Sequence, residues 1–203
     1  MRNILIAAAA LLGTTAVSAA DFTGPWVEAR GGWDSLQLKA SDNSGSVSGS
    51  RSGFGYGAAA GYDFGLSATS VAGIQIGAYG TTSKVCTEVY GNDQACLKAG
   101  RDLEVLARLG LRAGDASLIY GLAGYANGKI SATYVDYDNA ANNMTGSATG
   151  GGIRVGAGIE HSFGKTYAKA EYRYTSYTKS DIGSGVDAGF NRHQLLFGLG
   201  YRF

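Results

Sequence analysis

The chain has 203 residues, with 17 Lys and Arg against 16 Asp and Glu, 33 Gly, 13 Tyr and a single Pro. Near-neutrality without a basic block argues against a nucleic-acid partner, because binding to a phosphate backbone needs a visible cationic excess. Past residue 20 no segment offers 18 consecutive apolar residues, which excludes a helical membrane protein, and the Gly and Tyr usage favours extended strands with aromatic residues where apolar and wet regions meet.

The first element is an export signal. Arg2 precedes an apolar run from Ile4 to Leu12, too short to span a bilayer as a helix, and Ser18-Ala19-Ala20 has the small side chains that a signal peptidase accepts. Cleavage is expected after Ala20, with residues 21–203 forming one domain. No Cys lies near that point, so an N-terminal lipid anchor is not expected.

From there the pattern has period two. Val27, Ala29, Gly31 and Trp33 alternate with Trp26, Glu28, Arg30, Gly32 and Asp34. Phe54, Tyr56, Ala58, Ala60 and Tyr62 form a second run, and Ala72, Ile74, Ile76 and Ala78 a third opposite Gly73, Gln75, Gly77 and Tyr79. In the fourth, Leu103, Val105, Ala107, Leu109 and Leu111 alternate with Asp102, Glu104, Leu106, Arg108 and Arg112. Leu118, Tyr120, Leu122, Gly124 and Ala126 make the fifth; Ile153, Val155, Ala157 and Ile159 oppose Arg154 and Glu160 in the sixth. Ala168, Ala170, Tyr172 and Tyr174 then oppose Lys169, Glu171 and Arg173, and His193, Leu195, Phe197, Leu199, Tyr201 and Phe203 oppose Arg192, Gln194 and Arg202.

Eight strands follow, with connections that alternate in length. Residues 63–67, 113–116 and 164–165 read as tight turns, whereas 40–52, 84–100, 131–150 and 178–191 are long, polar and rich in Gly, Ser and Asn. An all-β, eight-stranded antiparallel up-and-down transmembrane barrel with short periplasmic turns and long external loops has this layout, and closing the sheet removes the edge that hydrocarbon would not tolerate.

Alternation alone leaves open which face is the inside. Gly31-Gly32-Trp33 resembles the first-strand Gly-x-Trp of the lipocalins, soluble barrels that bind small molecules, but that pattern continues with a helix after the eighth strand. A membrane barrel would place Tyr62, Tyr120, Tyr172, Tyr174, Phe197, Tyr201 and Phe203 on the outside. Its lumen would hold Arg30, Arg108, Arg112, Lys129, Arg154, Lys169, Arg173, Arg192 and Arg202 against Glu28, Asp34, Asp102, Glu104, Glu160 and Glu171, a modest cationic excess. An eight-stranded barrel is only wide enough for its side chains to fill, so these charges should pair across the lumen.

Cys86 and Cys96, the two cysteines, fall in one long loop. An exported compartment favours a disulfide; a metal site would need further ligands, and neither His161 nor His193 is near in sequence. His161-Ser162 with Glu160 or Glu171 raises a hydrolase reading, but adjacent strand residues point to opposite faces, which keeps His161 from activating Ser162. Gly55-x-Gly57-x-x-Ala60 and Gly164-Lys165-Thr166 imitate nucleotide loops without the strand–helix context those need. No cofactor is implied.

Ala168-Lys169-Ala170-Glu171-Tyr172-Arg173-Tyr174-Thr175 and the ending His193–Phe203 resemble the last two strands of the opacity-type, OmpA/OmpX-like barrels common in alphaproteobacteria. The resemblance implies residence in the outer membrane of a Gram-negative bacterium among its lipid and lipopolysaccharide. It also implies insertion by the outer-membrane assembly machinery, which reads a last strand with alternating apolar residues and a terminal aromatic; Leu195, Phe197, Leu199, Tyr201 and Phe203 fit that signal. The peptidoglycan-binding domain of larger relatives is not expected. The function implied is structural and interactive, an integral barrel whose loops meet an extracellular or host ligand. A narrow pore with a slight anion preference is the alternative, and a lipid A-modifying enzyme a more distant one.

Overall fold

The computed structural model describes residues 21–42, 45–82, 84–88, 91, 93–177, 180–181 and 187–203. The expected signal peptide, residues 1–20, lies outside the described residues. The strands are β1 (Gly24–Asp42), β2 (Gly45–Gly65), β3 (Ser70–Thr81), β4 (Lys84–Glu88), β5 (Gln94–Arg112), β6 (Ser117–Val135), β7 (Met144–Phe163), β8 (Thr166–Tyr177), β9 (Ser180–Asp181) and β10 (Asp187–Arg202). Every pairing is antiparallel between neighbours, and β10 returns to β1, from Trp26↔Arg202 to Ser41↔Asp187. β4 and β9 continue the lines of β3 and β8, pairing with the same neighbours, β5 and β10. The result is a closed barrel of eight staves, which leaves no free sheet edge among the described residues to face lipid.

Tight turns close one end. Residues 66–69, 113–116 and 164–165 connect β2–β3, β5–β6 and β7–β8, and Gly114 (φ 80°) and Gly164 (φ 85°) take the left-handed conformations that such short reversals require. The opposite end departs from expectation. The stretches 40–52, 84–100 and 131–150, read as loops, are largely strand: Ala40 pairs with Val47, Cys86 with Cys96, and Thr133 with Thr145. Gly, Ser and Asn there lower strand propensity, but ladder bonds carried over from the barrel supply what side chains do not. The barrel therefore extends beyond the membrane as hairpins rather than ending in loose loops.

Ile74, Ile76, Val105, Leu109, Leu111, Ile119, Val155, Ile159, Phe197 and Leu199 are all exposed on the outer wall, as hydrocarbon solvent requires. Aromatic residues bound this apolar band. Tyr62, Phe64, Phe163, Tyr201 and Phe203 ring the end with short turns, while Trp33, Phe54, Tyr56, Tyr125 and Tyr172 ring the other. On β2 the two rings are ten residues apart, Phe54 to Phe64, which for a tilted strand is about 25 Å, the usual height of such a band.

Tyr120 is a correction. It was expected on the outer face with Leu118, Leu122 and Ala126, yet all four are buried inside the barrel, and Ile119 and Tyr125 face out. Leu118, Tyr120 and Leu122 form an apolar cluster with Phe22, Val71 and Leu106. Both faces of β6 are apolar, so hydrophobicity did not say which was which.

Candidate functional site

The lumen is built from inward residues of every stave, and its charges form three tiers. Nearest the short turns, Arg108 and Arg202 each bridge Asp63 and Glu160, closing a four-membered ring. Arg108 Nε donates to Asp63 Oδ1 at 2.7 Å and Nη1 to Glu160 at 3.1 Å; Arg202 reaches Asp63 at 2.8 Å and Glu160 at 2.9 Å. Arg202 Nη1 also donates to the Phe22 carbonyl at 3.1 Å, and Arg112, half-buried, lies over the Phe22 ring at 5.5 Å. Phe22 is fully buried. Gly24, at φ 94°, turns the segment before β1 back under the mouth.

The middle tier is a ring of six. Glu28 pairs with Lys169 at 2.7 Å, Lys169 with Glu171 at 3.2 Å, Glu171 with Arg173, Arg173 with Glu104 at 2.7 Å, Glu104 with Arg30 at 2.7 Å, and Arg30 with Glu28 at 3.7 Å. Tyr120 donates its hydroxyl to Glu171 at 2.6 Å and Tyr167 to Glu28 at 3.2 Å. Glu104 is the hub, since Arg30, Arg154 and Arg173 all converge on its carboxylate and Gln75 Nε2 adds a bond at 3.3 Å. Arg154 carries the network upward. It pairs with Asp102 at 2.6 Å, and Arg192 joins Asp102 at 2.6 Å to Asp34 at 2.7 Å, with Tyr177 and Thr175 completing the third tier.

Such charges would cost several kcal/mol each if buried alone. Here opposing carboxylates and guanidiniums satisfy many of one another's hydrogen-bonding positions, Arg108 with Asp63 and Arg192 with Asp34 in the paired geometry that Arg offers, while Arg30 Nε and Nη1, Arg173 Nη2 and Asp102 Oδ1 have no hydrogen-bond partner among the described residues. The buried charged groups are Arg30, Arg108, Arg154, Lys169, Arg173, Arg192 and Arg202 against Glu28, Asp34, Asp63, Asp102, Glu104, Glu160 and Glu171, seven of each sign. The expected nine-to-six cationic excess therefore narrows to eight to seven among the described lumen residues, counting Arg112, half-buried at the mouth, for two reasons. Asp63 had been assigned to a turn, but β2 runs on to Gly65 and turns its carboxylate inward. Lys129 had been placed in the lumen, but it shares the face of Ile119 and Tyr125, because strand alternation sets Gly128 inside.

Leu195, Phe197, Leu199, Tyr201 and Phe203 are exposed along one outer face of β10. Tyr201 and Phe203 meet edge to face at 5.1 Å, with Lys165 Nζ 6.0 Å from the Tyr201 ring.

Above the outer aromatic ring, Cys86 and Cys96 are disulfide-bonded across the β4–β5 hairpin. Closing so short a loop stabilises by about 2–3 kcal/mol on the chain-entropy model. That gain is confined to a hairpin outside the membrane, so Cys86→Ser with Cys96→Ser should leave the heat-modifiable gel shift of the barrel intact and open residues 84–98 to proteolysis; loss of the gel shift would show that the staple holds the barrel itself. The β6–β7 connection is ordered by Asp136, whose carboxylate accepts from Asn142 Nδ2 at 2.7 Å and from the N–H groups of Asn139 at 2.8 Å and Asp138 at 2.9 Å. These donors hold the Asp136 carboxyl below the usual carboxylate range.

His161 and Ser162 do not meet. Ser162 Oγ donates to the Gly164 carbonyl at 2.9 Å, while His161 Nδ1 lies on the outer wall 2.9 Å from Ser117 Oγ. Among the described residues there is no group of three or more His, Cys, Asp and Glu placed to hold a metal ion.

The family model described as "Outer membrane protein beta-barrel domain" matches residues 4–203. The 31 kDa outer-membrane immunogenic proteins of Brucella melitensis and Brucella suis are each 33% identical over 105 residues, 49% of this chain and 44% of theirs, so the chain spans less than half the length of these relatives. Among solved structures, the outer membrane protease OmpT of Escherichia coli aligns over 94% of this chain and 100% of its own with TM-score 0.52 at 9% identity. Ail, the attachment invasion locus protein of Yersinia pestis, solved with the heparin analogue sucrose octasulfate, aligns over 90% and 100% with TM-score 0.46 at 17% identity. With a closed eight-stave barrel, an apolar outer wall and a charged, filled lumen, the chain belongs to the outer membrane protein β-barrel domain family and resides in the outer membrane of a Gram-negative bacterium.

Proposed function

We propose that the protein is a plugged, non-catalytic barrel that holds rigid hairpins outside the outer membrane for contact with an extracellular or host ligand. The observation that carries this reading is the lumen network, whose three tiers cross the barrel at successive heights with nearly balanced charge. A filled, nearly neutral interior gives little reason for solute flow or anion preference, and it braces the staves against shear. What it supports lies above the outer aromatic ring, where strand pairing runs on into the β1–β2, β4–β5 and β6–β7 hairpins. Such preformed hairpins lose little order on binding, which favours recognition. The Brucella relatives, described as immunogenic outer-membrane proteins, agree with exposure at the surface.

In the same reading, outer-membrane lipid and lipopolysaccharide are the lateral partners of the apolar wall, and the outer face of β10 is the signal read by the assembly machinery. The non-catalytic assignment draws support from His161, whose partner is the Ser117 hydroxyl on the lipid-facing wall, while Glu160 points the other way into the lumen.

Single-channel recording in a planar bilayer tests the plug, once a heat-modifiability gel shows the protein folded. A folded barrel should be silent, and Arg108→Ser or Arg173→Ser should introduce discrete conductance steps by opening a water path. Regular steps from the unaltered protein would overturn the plugged reading in favour of a narrow pore.

A further inference from the structure

Lipid-facing rows normally pass from apolar side chains through the aromatic ring into neutral polar residues, and most staves here do so. Phe54 on β2 is followed by Ser52 and Ser50, Ile153 on β7 by Gly151 and Thr149, and Tyr174 on β8 by Ser176. One sector differs. On β5 the row Val105, Leu103 continues into Arg101, and on β6 the row Tyr125, Asn127 continues into Lys129. The pairing of β5 with β6 slips between Ala99 and Asp102, a bulge that inserts an extra residue and resets alternation. Lys98 consequently pairs with Ser131, which shares the outward face of Lys129, and on its other side it pairs with Lys84. Lys84, Lys98 and Arg101 are exposed and Lys129 half-buried, its backbone and Cβ lying against Gly100.

These four cations face sideways, just above Leu103 and Tyr125, at the height of lipid headgroups. None has an acidic partner within 4.0 Å among the described residues. Glu88, the acidic residue of the same face of β4, pairs with Gln94 near the hairpin tip, four residues and thus roughly 13 Å beyond Lys84. Two lysines directly opposed across strands repel each other and destabilise their ladder. The neighbouring pair on the same face is Cys86–Cys96, whose disulfide pins the register that keeps Lys84 and Lys98 side by side. A covalently fixed, repelling cation pair beside two further cations is preorganised for a multivalent anion, and its sideways aspect selects one that belongs to the membrane.

We propose that Lys84, Lys98, Arg101 and Lys129 form a lateral site for the phosphate groups of a lipid A molecule in the outer leaflet. The site rests on the lipid partnership proposed above and is independent of whether the lumen conducts, so conductance has no bearing on it. Each cation beside an anionic lipid surface contributes about a fivefold factor.

The full-length protein and its Lys84→Gln/Lys98→Gln variant would be placed in nanodiscs of phosphatidylcholine with a minority of bisphosphorylated lipid A, then released into mild detergent for native mass spectrometry. One lipid A per barrel should remain on the unaltered protein, and retention should fall roughly twentyfold in the variant. Dephosphorylated lipid A should be retained no better by the unaltered protein than by the variant. Lys129→Gln, on a stave without the disulfide, serves if the double variant fails the heat-modifiability test, with a fall of about fivefold. Equal retention by both proteins, or retention indifferent to the phosphates, would overturn the proposal. Displacement of lipid A by inorganic phosphate at millimolar level would assign a small-anion site instead, and tight binding of a soluble polyanion such as dextran sulfate without lipid would move the partner outside the membrane; either overturns the assignment to lipid A.

Discussion

Replacing Glu104 by alanine should cost the barrel about 3–5 kcal/mol, the usual penalty for removing one partner of a buried ion pair. Among the described residues Glu104 is the one carboxylate on which three arginines converge, Arg30, Arg154 and Arg173, so its loss leaves an uncompensated cationic cluster at the centre. Equilibrium unfolding in urea from lipid vesicles gives the magnitude. Water would be drawn in to solvate the arginines, so conductance should rise together with the loss of stability. Adding Arg173→Ala should recover part of the loss, because neighbours in one network are not additive. An unchanged unfolding midpoint for Glu104→Ala would mean that the lumen is already hydrated enough to screen its charges.

A second large effect is expected at Gly158. A Cβ there would lie 2.7 Å from the Tyr120 hydroxyl, 2.8 Å from its ring and 2.8 Å from the Ala170 carbonyl. Tyr120 rests across Gly158 in order to reach Glu171 at 2.6 Å. Gly158→Val would add overpacking of about 1–3 kcal/mol to the loss of a hydrogen bond to a charged group, about 1.5–3 kcal/mol. Tyr120→Phe isolates the second contribution, since it keeps the ring and removes the donor. If Gly158→Val were no worse than Tyr120→Phe, the ring must have room to shift within the lumen.

Sequence pattern was sufficient wherever the two faces of a stave differ in polarity. From Asp102 on, β5 alternates Leu103, Val105, Leu109 and Leu111 with Asp102, Glu104 and Arg108, and the structure places these on the faces that polarity suggests, whereas Leu106 is buried in the lumen on the charged face. β6 has apolar residues on both faces, so Tyr120 was assigned outward; continuing the row of Ile119 through Tyr125 to Lys129 would have corrected both Tyr120 and Lys129. Asp63 was hidden for a different reason, because an acidic residue between Gly61 and Gly65 reads as a turn unless the strand is counted two residues further. The extended hairpins were illegible, since Gly, Ser and Asn do not announce strands when the ladder is inherited from a barrel below. The bulge between Ala99 and Asp102 left no mark either, and it is what brings Lys98 round to the outer wall.

The three tiers have a bearing on how the barrel comes into being. Asp63 waits for Arg202, and Asp34 waits for Arg192, partners 139 and 158 residues away in the chain. Both arginines sit on β10, which closes the cylinder against β1, so until that seam forms, the first and third tiers each lack a counter-charge. An open sheet would then carry solvated carboxylates along its concave side, and water would have to travel with it into the bilayer. β10 is in this sense a latch as well as a wall, because closing its seam with β1 is what lets the interior dry.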